Sequence, residues 1–411
     1  MDKKFYGWWI ALAAFFTFGL AVGIPYYGGP FFYDYYLKTF GWKLSDVTLG
    51  FPLAATVTLW VGPMLVHRFS PRKMIIFGTG CTLLAYLGWS QMTGDVRVYW
   101  ALWILYMVGY IFSGPIPHQV LISQWFRKHR GKAMAVAYLG VGVFGGLSQK
   151  MVAKPLTEGF GFQQALMIIG FLMLLTWPIA LFAMRDKPSE MGQTQDGESF
   201  VAADVNEPPR DVSYLVRQPA FWLLLIGSAC SIGAIGSVNQ HMKLVFKEQG
   251  FTDQGVLNGL SADATLYILF SSIAGRLVMG WAADKFPKKI VMSFTYILVA
   301  STIPILLLVK PGQEYYVYVF SILFGFGMGA DYMLIPLMAA DRFGVNTLAK
   351  AMAIILPTDT LGQTYCPQLV SMLHDKFGGY GFALNVVIVL AFSGAAAVVA
   401  LPKPKDEPAA R

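Results

Sequence analysis

Apolar stretches long enough to cross a lipid bilayer recur along the whole chain. A helix needs about twenty apolar residues to span a hydrocarbon core roughly 30 Å thick. The mean hydropathy of +0.54 and the charged share of only 13% agree with such a pattern. The chain is therefore predicted to be an all-α integral membrane protein with twelve transmembrane helices. The twelve apolar windows lie near residues 6–33, 46–66, 73–92, 98–122, 132–153, 164–184, 220–242, 259–283, 290–309, 316–339, 351–372 and 381–402.

One long polar connection divides the twelve windows into two sets of six. Residues 185–219 are polar, acidic and rich in proline, and such a composition cannot bury enough apolar surface to pack by itself. We expect this segment to be a cytoplasmic linker. It would join a first half at residues 1–184 to a second half at residues 220–411.

The positive charges are unevenly distributed among the predicted loops. With both termini in the cytoplasm, 21 of the 31 Lys and Arg residues fall on that side and 8 on the other, while Lys150 and Arg276 stay within the membrane. Cytoplasmic loops are enriched in Lys and Arg. We therefore expect a cell-membrane protein with both termini on the cytoplasmic side. Lys150 is expected to extend to the lipid headgroups. The net charge of +8 is thereby spread over many loops, which argues against a nucleic-acid partner.

Two pairs of short segments repeat at nearly the same offset. The segment "VHRFSPRK" at 66–73 resembles "ADKFPKK" at 283–289, about 217 residues later. The segment "KAMA" occurs at 132–135 and again at 350–353, which is 218 residues later. A shared offset indicates that the two halves are duplicated. Two parallel six-helix repeats around a site at the bilayer midplane are typical of transporters that work by alternating access.

One arginine lies deep within the eighth window. Arg276 precedes Asp284 by eight residues, which in a helix is about 12 Å and close to the bilayer centre. A charged side chain at that depth costs at least a few kcal/mol and needs a partner or a water-filled cavity. Arg276 is therefore interpreted either as part of a structural ion pair or as the group that holds a carried anion.

Three other polar side chains lie within the apolar windows at informative depths. Asp331 and Asp359 are predicted near the bilayer centre, where each could belong to a structural ion pair or to a cavity. His118 could line the cavity or simply pack against neighbouring helices. The three cysteines lie in apolar windows without metal-binding spacing, and no nucleophile and base occur at usable spacing. We therefore expect no enzyme activity, no metal and no cofactor.

The repeated loop resembles a motif of the major facilitator superfamily. The segment "GWAADKFPKK" at 280–289 is similar to the loop motif G-x-x-x-D-K/R-x-G-R/K-K/R, with Pro287 in place of the second glycine. The first copy departs further, since His67 stands at the aspartate position. The resemblance implies the major facilitator fold, with two pseudo-symmetric six-helix halves. It also implies a gating loop with charged residues at Asp284, Lys285, Lys288, Arg68 and Arg72.

Within this superfamily the sequence is most similar to the monocarboxylate and oxalate/formate carriers. The matching segments are "WFRKHRGKAMAVAYLG", "RQPAFW", "GRLVMGWAADKF" and "DYMLIPLMAADRFG". The resemblance implies that Arg276 binds the substrate anion. It also implies that Tyr27 and Tyr332 line the cavity, and we include His118 among the candidate substrate contacts.

Two departures from these carriers bear on substrate and coupling. The second cation of the oxalate carriers is replaced by Thr358, and the aspartate one turn before the arginine of mammalian monocarboxylate carriers is replaced by Ser272. A single cation favours a small monocarboxylate such as lactate, pyruvate or formate. We expect Asp359 or Asp331 to pair with the arginine in the empty cavity and to take a proton when substrate displaces it. An oxalate/formate-type anion exchanger and a ligand sensor that does not transport are the alternatives, and a monomer is expected to be functional.

Overall fold

The computed structural model describes residues 5–58, 69–126, 129–197, 211–344 and 347–402. Every regular element within these ranges is helical, which confirms the all-α prediction. Three short helices occur around the polar connection, at Pro188–Met191, Gln195–Gly197 and Val212–Val216. The long helices of the described ranges are α1 (Gly7–Phe40), α2 (Leu44–Thr58), α3 (Pro71–Ser90), α4 (Val96–Trp125), α5 (Lys132–Phe160), α6 (Phe162–Ala183), α7 (Pro219–Glu248), α8 (Gln254–Lys285), α9 (Lys288–Leu308), α10 (Tyr315–Phe343), α11 (Leu348–Phe377) and α12 (Tyr380–Val399).

Nine helices in the described part of the chain are long and apolar enough to cross a membrane. The other three long helices are α2, which is described only as far as Thr58, together with α3 and α11. α11 carries several Thr and Gln residues and two aspartates along its length, so its composition is less apolar than that of its neighbours. Such polar side chains are tolerated in a transmembrane helix when they face protein rather than lipid.

Several helices extend beyond the apolar windows that predict them. α1 continues to Phe40 rather than ending near residue 33, and its last two turns bury Tyr33, Asp34 and Tyr36. α8 begins at Gln254, five residues before its window. A hydropathy window detects only the part of a helix that lies in hydrocarbon, and the polar ends that follow are held by tertiary contacts instead.

Capping residues define several helix ends. Ser70 precedes α3 and its Oγ accepts from the Lys73 backbone N–H at 3.4 Å. Asp95 precedes α4 and its Oδ1 accepts from the Arg97 backbone N–H at 2.8 Å. These side chains satisfy donors that have no partner within their own helix. At the other end of α1, Gly41 adopts a left-handed conformation with φ of 67°, which suits glycine and terminates the helix.

The chain divides into two compact units. The first unit contains Met1–Ala202 and Gln254–Leu269, and the second contains Ala203–Asp253 and Phe270–Arg411. α8 therefore contributes its first half to the first unit and its second half to the second unit. The linker at residues 185–219 stays a prediction. The predicted division into halves at residues 1–184 and 220–411 did not anticipate that α8 would be shared between the two units.

Four side-chain contacts, which we call the polar clasp, hold the first half of α8 within the first unit. Gln254 Nε2 donates to Asp34 Oδ2 at 2.8 Å, and Asn258 Nδ2 donates to Tyr35 Oη at 3.0 Å. Further along α8, Ser261 Oγ donates to Gln149 Oε1 at 2.8 Å, and Lys150 Nζ lies 2.6 Å from Asp263 Oδ1. Lys150, which was expected to extend to the headgroups, thus has an acidic partner. The clasp explains why this half of α8 belongs to the first unit.

Each unit has its own apolar core. In the first unit, Ile10, Leu121, Trp125 and Phe126 are fully buried in one cluster. In the second unit, Phe221, Met292, Leu334 and Met338 belong to another such cluster. Because helices in lipid gain little from burying apolar surface, packing in these clusters depends mainly on close van der Waals contact.

Candidate substrate and ion sites

Two glycines bring α8 and α10 into backbone contact beside Arg276. A Cβ atom on Gly275 would lie 1.9 Å from the Phe326 carbonyl oxygen, and a Cβ atom on Gly329 would lie 1.9 Å from the Ser272 carbonyl oxygen. No larger residue fits such contacts, and small residues are what allow helices to approach this closely in a membrane. The close approach places Arg276 directly against the backbone of α10.

Arg276 is anchored to α10 through one of its nitrogens. Its Nε–H donates to the Gly329 carbonyl oxygen at 3.3 Å, and the side chain is half-buried. Arg276 lies nine residues before the end of α8 at Lys285, which is about 13 Å along the helix. The bond to Gly329 orients the plane of the guanidinium. A bidentate carboxylate would use the N–H groups of Nη1 and Nη2.

Tyr332 and Asp331 are adjacent on α10 but have different surroundings. Tyr332 lies one turn after Gly329, on the face of α10 that Arg276 contacts, and its side chain is 44% exposed. Asp331 follows Gly329 by two residues, which turns it about 200° around the helix. It is fully buried on the other side. Helix geometry therefore places Tyr332 on the same side of α10 as the Arg276 contact and Asp331 on the other side.

Both buried acids are held by serines of α7. Ser231 Oγ donates to Asp331 Oδ2 at 2.6 Å, and Ser228 Oγ donates to Asp359 Oδ1 at 2.6 Å. Asp331 is 0% exposed and Asp359 is 2% exposed. Among the described residues, Arg276 is not a partner of either carboxylate, contrary to the pairing expected in an empty cavity. The reason is geometric, since each acid is directed towards α7.

His118 and Tyr27 belong to the first unit. The imidazole of His118 is fully buried, with Nδ1 2.7 Å from the Gly114 carbonyl oxygen and Nε2 2.9 Å from Thr17 Oγ1. Its ring also stacks on Phe18 at 4.6 Å. A substrate contact would require one of these hydrogen bonds to break. Tyr27 is half-buried and its ring packs against the ring of Tyr26 at 5.0 Å.

The gating-loop residues have partners on their own unit where they are described. Lys288 Nζ lies 2.8 Å from Asp341 Oδ1, and Lys285 Nζ lies 4.5 Å from the centre of the Trp281 ring. The Arg72 backbone N–H donates to Asp186 Oδ1 at 3.0 Å. Arg68 lies outside the described residues, as does the side chain of Asp284.

Sequence analysis missed Ser228 and Ser231. The available signal is their spacing, because two serines three residues apart in the apolar helix α7 occupy one face about 5–6 Å from each other. It also missed Tyr296 on α9, which is buried and interacts electrostatically with both Asp331 and Asp359. Nothing local distinguishes this tyrosine from a packing residue.

Comparison with known families identifies the fold. The Major Facilitator Superfamily matches residues 115–278 and 261–411, which together cover most of the chain. The chain belongs to the Major Facilitator Superfamily. It is therefore a multi-pass transporter of small molecules in a lipid bilayer rather than an enzyme. The predicted fold of twelve transmembrane helices in two six-helix halves is confirmed at the level of the family.

Several proteins that are similar to this major facilitator protein are named monocarboxylate transporters. It is 23% identical to monocarboxylate transporter 10 of Rattus norvegicus, over 97% of this chain and 78% of that protein. It is 22% identical to human monocarboxylate transporter 11, over 97% of this chain and 83% of that protein. These matches confirm the resemblance to the monocarboxylate group.

A solved structure supports the fold independently. The crystal structure of a bacterial homolog of the human lysosomal transporter Spinster, in an inward-facing and unoccupied conformation, superposes with a TM-score of 0.66. The match covers 97% of this chain and 95% of that one at 15% sequence identity. At that identity the likeness concerns the fold alone.

Proposed function

We propose that this protein carries a small monocarboxylate such as lactate, pyruvate or formate, together with a proton, by alternating access. The proposed location is the cell membrane, with both termini in the cytoplasm and a monomer as the working unit. The observation that carries the proposal concerns Arg276, which lies about 13 Å from the end of the membrane helix α8 and donates its Nε–H to the α10 backbone. Relatives named monocarboxylate transporters support the choice of substrate class.

Arg276 would act as the carboxylate clamp. A planar guanidinium can hold a carboxylate with two parallel hydrogen bonds, and its charge does not titrate, so the clamp would work at any physiological pH. Tyr332, one turn from Gly329, would add a hydroxyl donor on the same face of α10. For the first unit, we propose Tyr27 and His118 as substrate contacts.

The proton would be carried by Asp359 or Asp331, with Asp359 preferred because the related oxalate carriers place an ionisable group one position earlier on this helix. Both carboxyl groups are buried, and an ionised acid is costly in such surroundings. Protonation would allow the helices to move without carrying a bare charge. The loop charges at Asp284, Lys285, Lys288, Arg68 and Arg72 would control which side is open.

The test of the clamp is the Arg276→Lys variant in proteoliposomes with radiolabelled monocarboxylate. Lysine keeps the charge but loses the fork, so one charge-assisted hydrogen bond is lost, worth about 1.5–3 kcal/mol or roughly 10- to 150-fold in affinity. The matched control is Arg97→Lys, the same substitution at an exposed position at the start of α4. Normal uptake by Arg276→Lys would refute the clamp.

An oxalate/formate-type anion exchanger is the second candidate. It is favoured by the finding that, within the part of the chain that the structure describes, Asp331 and Asp359 bond to serines of α7 rather than to Arg276. Preloading the vesicles with unlabelled substrate discriminates between the two. An obligate exchanger takes up labelled substrate only with internal substrate, whereas a symporter responds to an inward proton gradient in empty vesicles.

A further inference from the structure

A group of five polar residues from four helices lies buried in the second unit, away from Arg276. We call it the acid cluster: Ser228 and Ser231 on α7, Tyr296 on α9, Asp331 on α10 and Asp359 on α11. The two carboxyl groups are close enough to interact electrostatically with each other and with the Tyr296 hydroxyl. The two acids are thus parts of one cluster rather than separate candidates.

Three oxygens of the acid cluster lack a hydrogen-bond partner within the described residues. They are Asp331 Oδ1, Asp359 Oδ2 and Tyr296 Oη, and all three are shielded from solvent. The tyrosine is 1% exposed. Each serine satisfies only the other oxygen of its aspartate. Buried polar atoms without partners are rare in folded proteins, and each calls for a proton, a water molecule or an ion as its partner.

Counting hydrogens identifies what is absent. A hydroxyl is both donor and acceptor, an ionised carboxylate only accepts, and a protonated carboxyl group donates. With both acids ionised, neither Asp331 Oδ1 nor Asp359 Oδ2 has a donor, and two negative charges remain buried beside Tyr296. Adding one proton forms an O–H bond on one carboxyl group. After a small shift of the side chains from their present positions, that group would donate to Tyr296 Oη, the Tyr296 hydroxyl would donate to the second carboxylate, and all three oxygens would be satisfied.

We propose that Asp331, Asp359 and Tyr296 form a single binding site for one proton, shared between the two acids and positioned by Ser228 and Ser231. The inference deepens the proposed function and rests on it, because it identifies the coupling ion site of the carrier. Neither acid acts alone, since removing either one destroys the shared arrangement. The acid cluster is separate from Arg276, the proposed substrate clamp. α10 connects the two, because it carries both Asp331 and the Gly329 carbonyl to which Arg276 bonds.

Of the other described groups that face the acid cluster, none supplies a competing charge. Cys230 on α7 interacts electrostatically with Tyr296, and its thiol is a weak donor. On α8, Arg276 Nε donates to the carbonyl oxygen of Gly329. Gly329 lies two residues before Asp331 and on a different face of α10. α12 packs against α7 at this level through Gly394, which has no side chain.

The link to substrate runs along α10. Arg276 bonds to the Gly329 carbonyl, and Asp331 follows two residues later on the opposite face. A carboxylate that draws Arg276 away from Gly329 would therefore act on the helix that carries one acid of the pair. Coupling of this kind requires no direct contact between anion and proton.

The test compares Asp331→Asn, Asp359→Asn and Tyr296→Phe with Asp375→Asn, a matched control at the outer end of α11. Proton influx is recorded with a pH-sensitive dye inside proteoliposomes while labelled substrate enters. The parent and the control should move about one proton per substrate. Both aspartate variants should fall to near zero, and Tyr296→Phe should fall at least several-fold. Loss of proton influx in only one of the two aspartate variants would overturn the proposal of a shared site.

A second measurement needs no transport, so that a wrong substrate does not obscure the result. Infrared difference spectra of the substrate-free protein across a pH step report protonated carboxyl groups. A single carboxyl band in the spectrum of the parent, which is absent from the spectra of both Asp331→Asn and Asp359→Asn, would support the shared proton. Two bands, each absent from one variant, would refute it even if the protein proves to transport monocarboxylates. Removal of the band by Na⁺ at constant pH would identify a sodium site instead and overturn the proposal.

Discussion

Replacing Gly275 by alanine should separate α8 from α10 and impair Arg276. The added Cβ would lie 1.9 Å from the Phe326 carbonyl oxygen, whereas real Cβ contacts are essentially never shorter than 3.0 Å. The obstructing atom belongs to backbone, so the helices must move apart by about 1 Å. A shift of that size lengthens the 3.3 Å bond between Arg276 Nε and the Gly329 oxygen beyond hydrogen-bonding range.

Two measurable losses follow from this separation. Forcing a methyl group into a packed contact costs about 1–3 kcal/mol of stability. Moving a substrate-binding group by about 1 Å costs up to roughly 100-fold in rate. Thermal unfolding of the purified protein in detergent measures the first loss, and initial rates of uptake in proteoliposomes measure the second.

The control for this prediction is Gly280→Ala on the same helix. A Cβ at Gly280 would lie 3.5 Å from the end of the Met333 side chain, which is an ordinary contact with a flexible group. The same substitution should therefore be neutral, or stabilising by up to about 1 kcal/mol because alanine favours helix more than glycine does. Equal behaviour of the two variants, in stability and in uptake, would show that the close contact of α8 with α10 is not what positions Arg276.

Three further predictions concern single contacts. Tyr332→Phe should raise the half-saturating substrate concentration about 2- to 13-fold, equivalent to about 0.5–1.5 kcal/mol for one hydroxyl bond; an unchanged saturation curve would make Tyr332 a packing residue. Thr17→Val should lower stability by about 1–3 kcal/mol, because it leaves Nε2 of the buried His118 ring without its partner; an unfolding temperature equal to the parent's would contradict this. The ion pair of Lys150 with Asp263 should contribute a coupling free energy of less than about 1 kcal/mol in a double-mutant cycle of unfolding. A coupling free energy above about 2 kcal/mol would show that this pair of the polar clasp is more than a surface contact.

The helices could be predicted from the sequence because hydropathy is a local property. Within the described residues, each apolar window lies on a helix of the structure, although the helix ends differ by several residues. The end of α1 at Phe40 was missed because its last turns are amphipathic and buried by tertiary contacts. The sharing of α8 between the two units was missed for the same reason, since Gln254 and Asp34 are 220 residues apart in sequence.

The individual candidate residues could be found from the sequence, but their partners could not. A charged or acidic residue in an apolar window is conspicuous, as with Arg276, Asp331 and Asp359. The serines that hold the two acids lie 100 and 131 residues away from them, and serines in membrane helices are common. The roles of these residues in substrate and proton binding stay predictions.

The proposed function depends above all on an arginine that recognises a carboxylate, and competition for uptake tests this recognition most directly. Labelled substrate is offered to the unmodified protein in proteoliposomes, with lactate, pyruvate, formate, oxalate and the neutral methyl ester of pyruvate as competitors, at two pH values. We expect at least one of the monocarboxylates to compete, more strongly at the lower pH, and the ester not to compete. Competition by the ester equal to that of pyruvate, or no competition by any monocarboxylate, would contradict it.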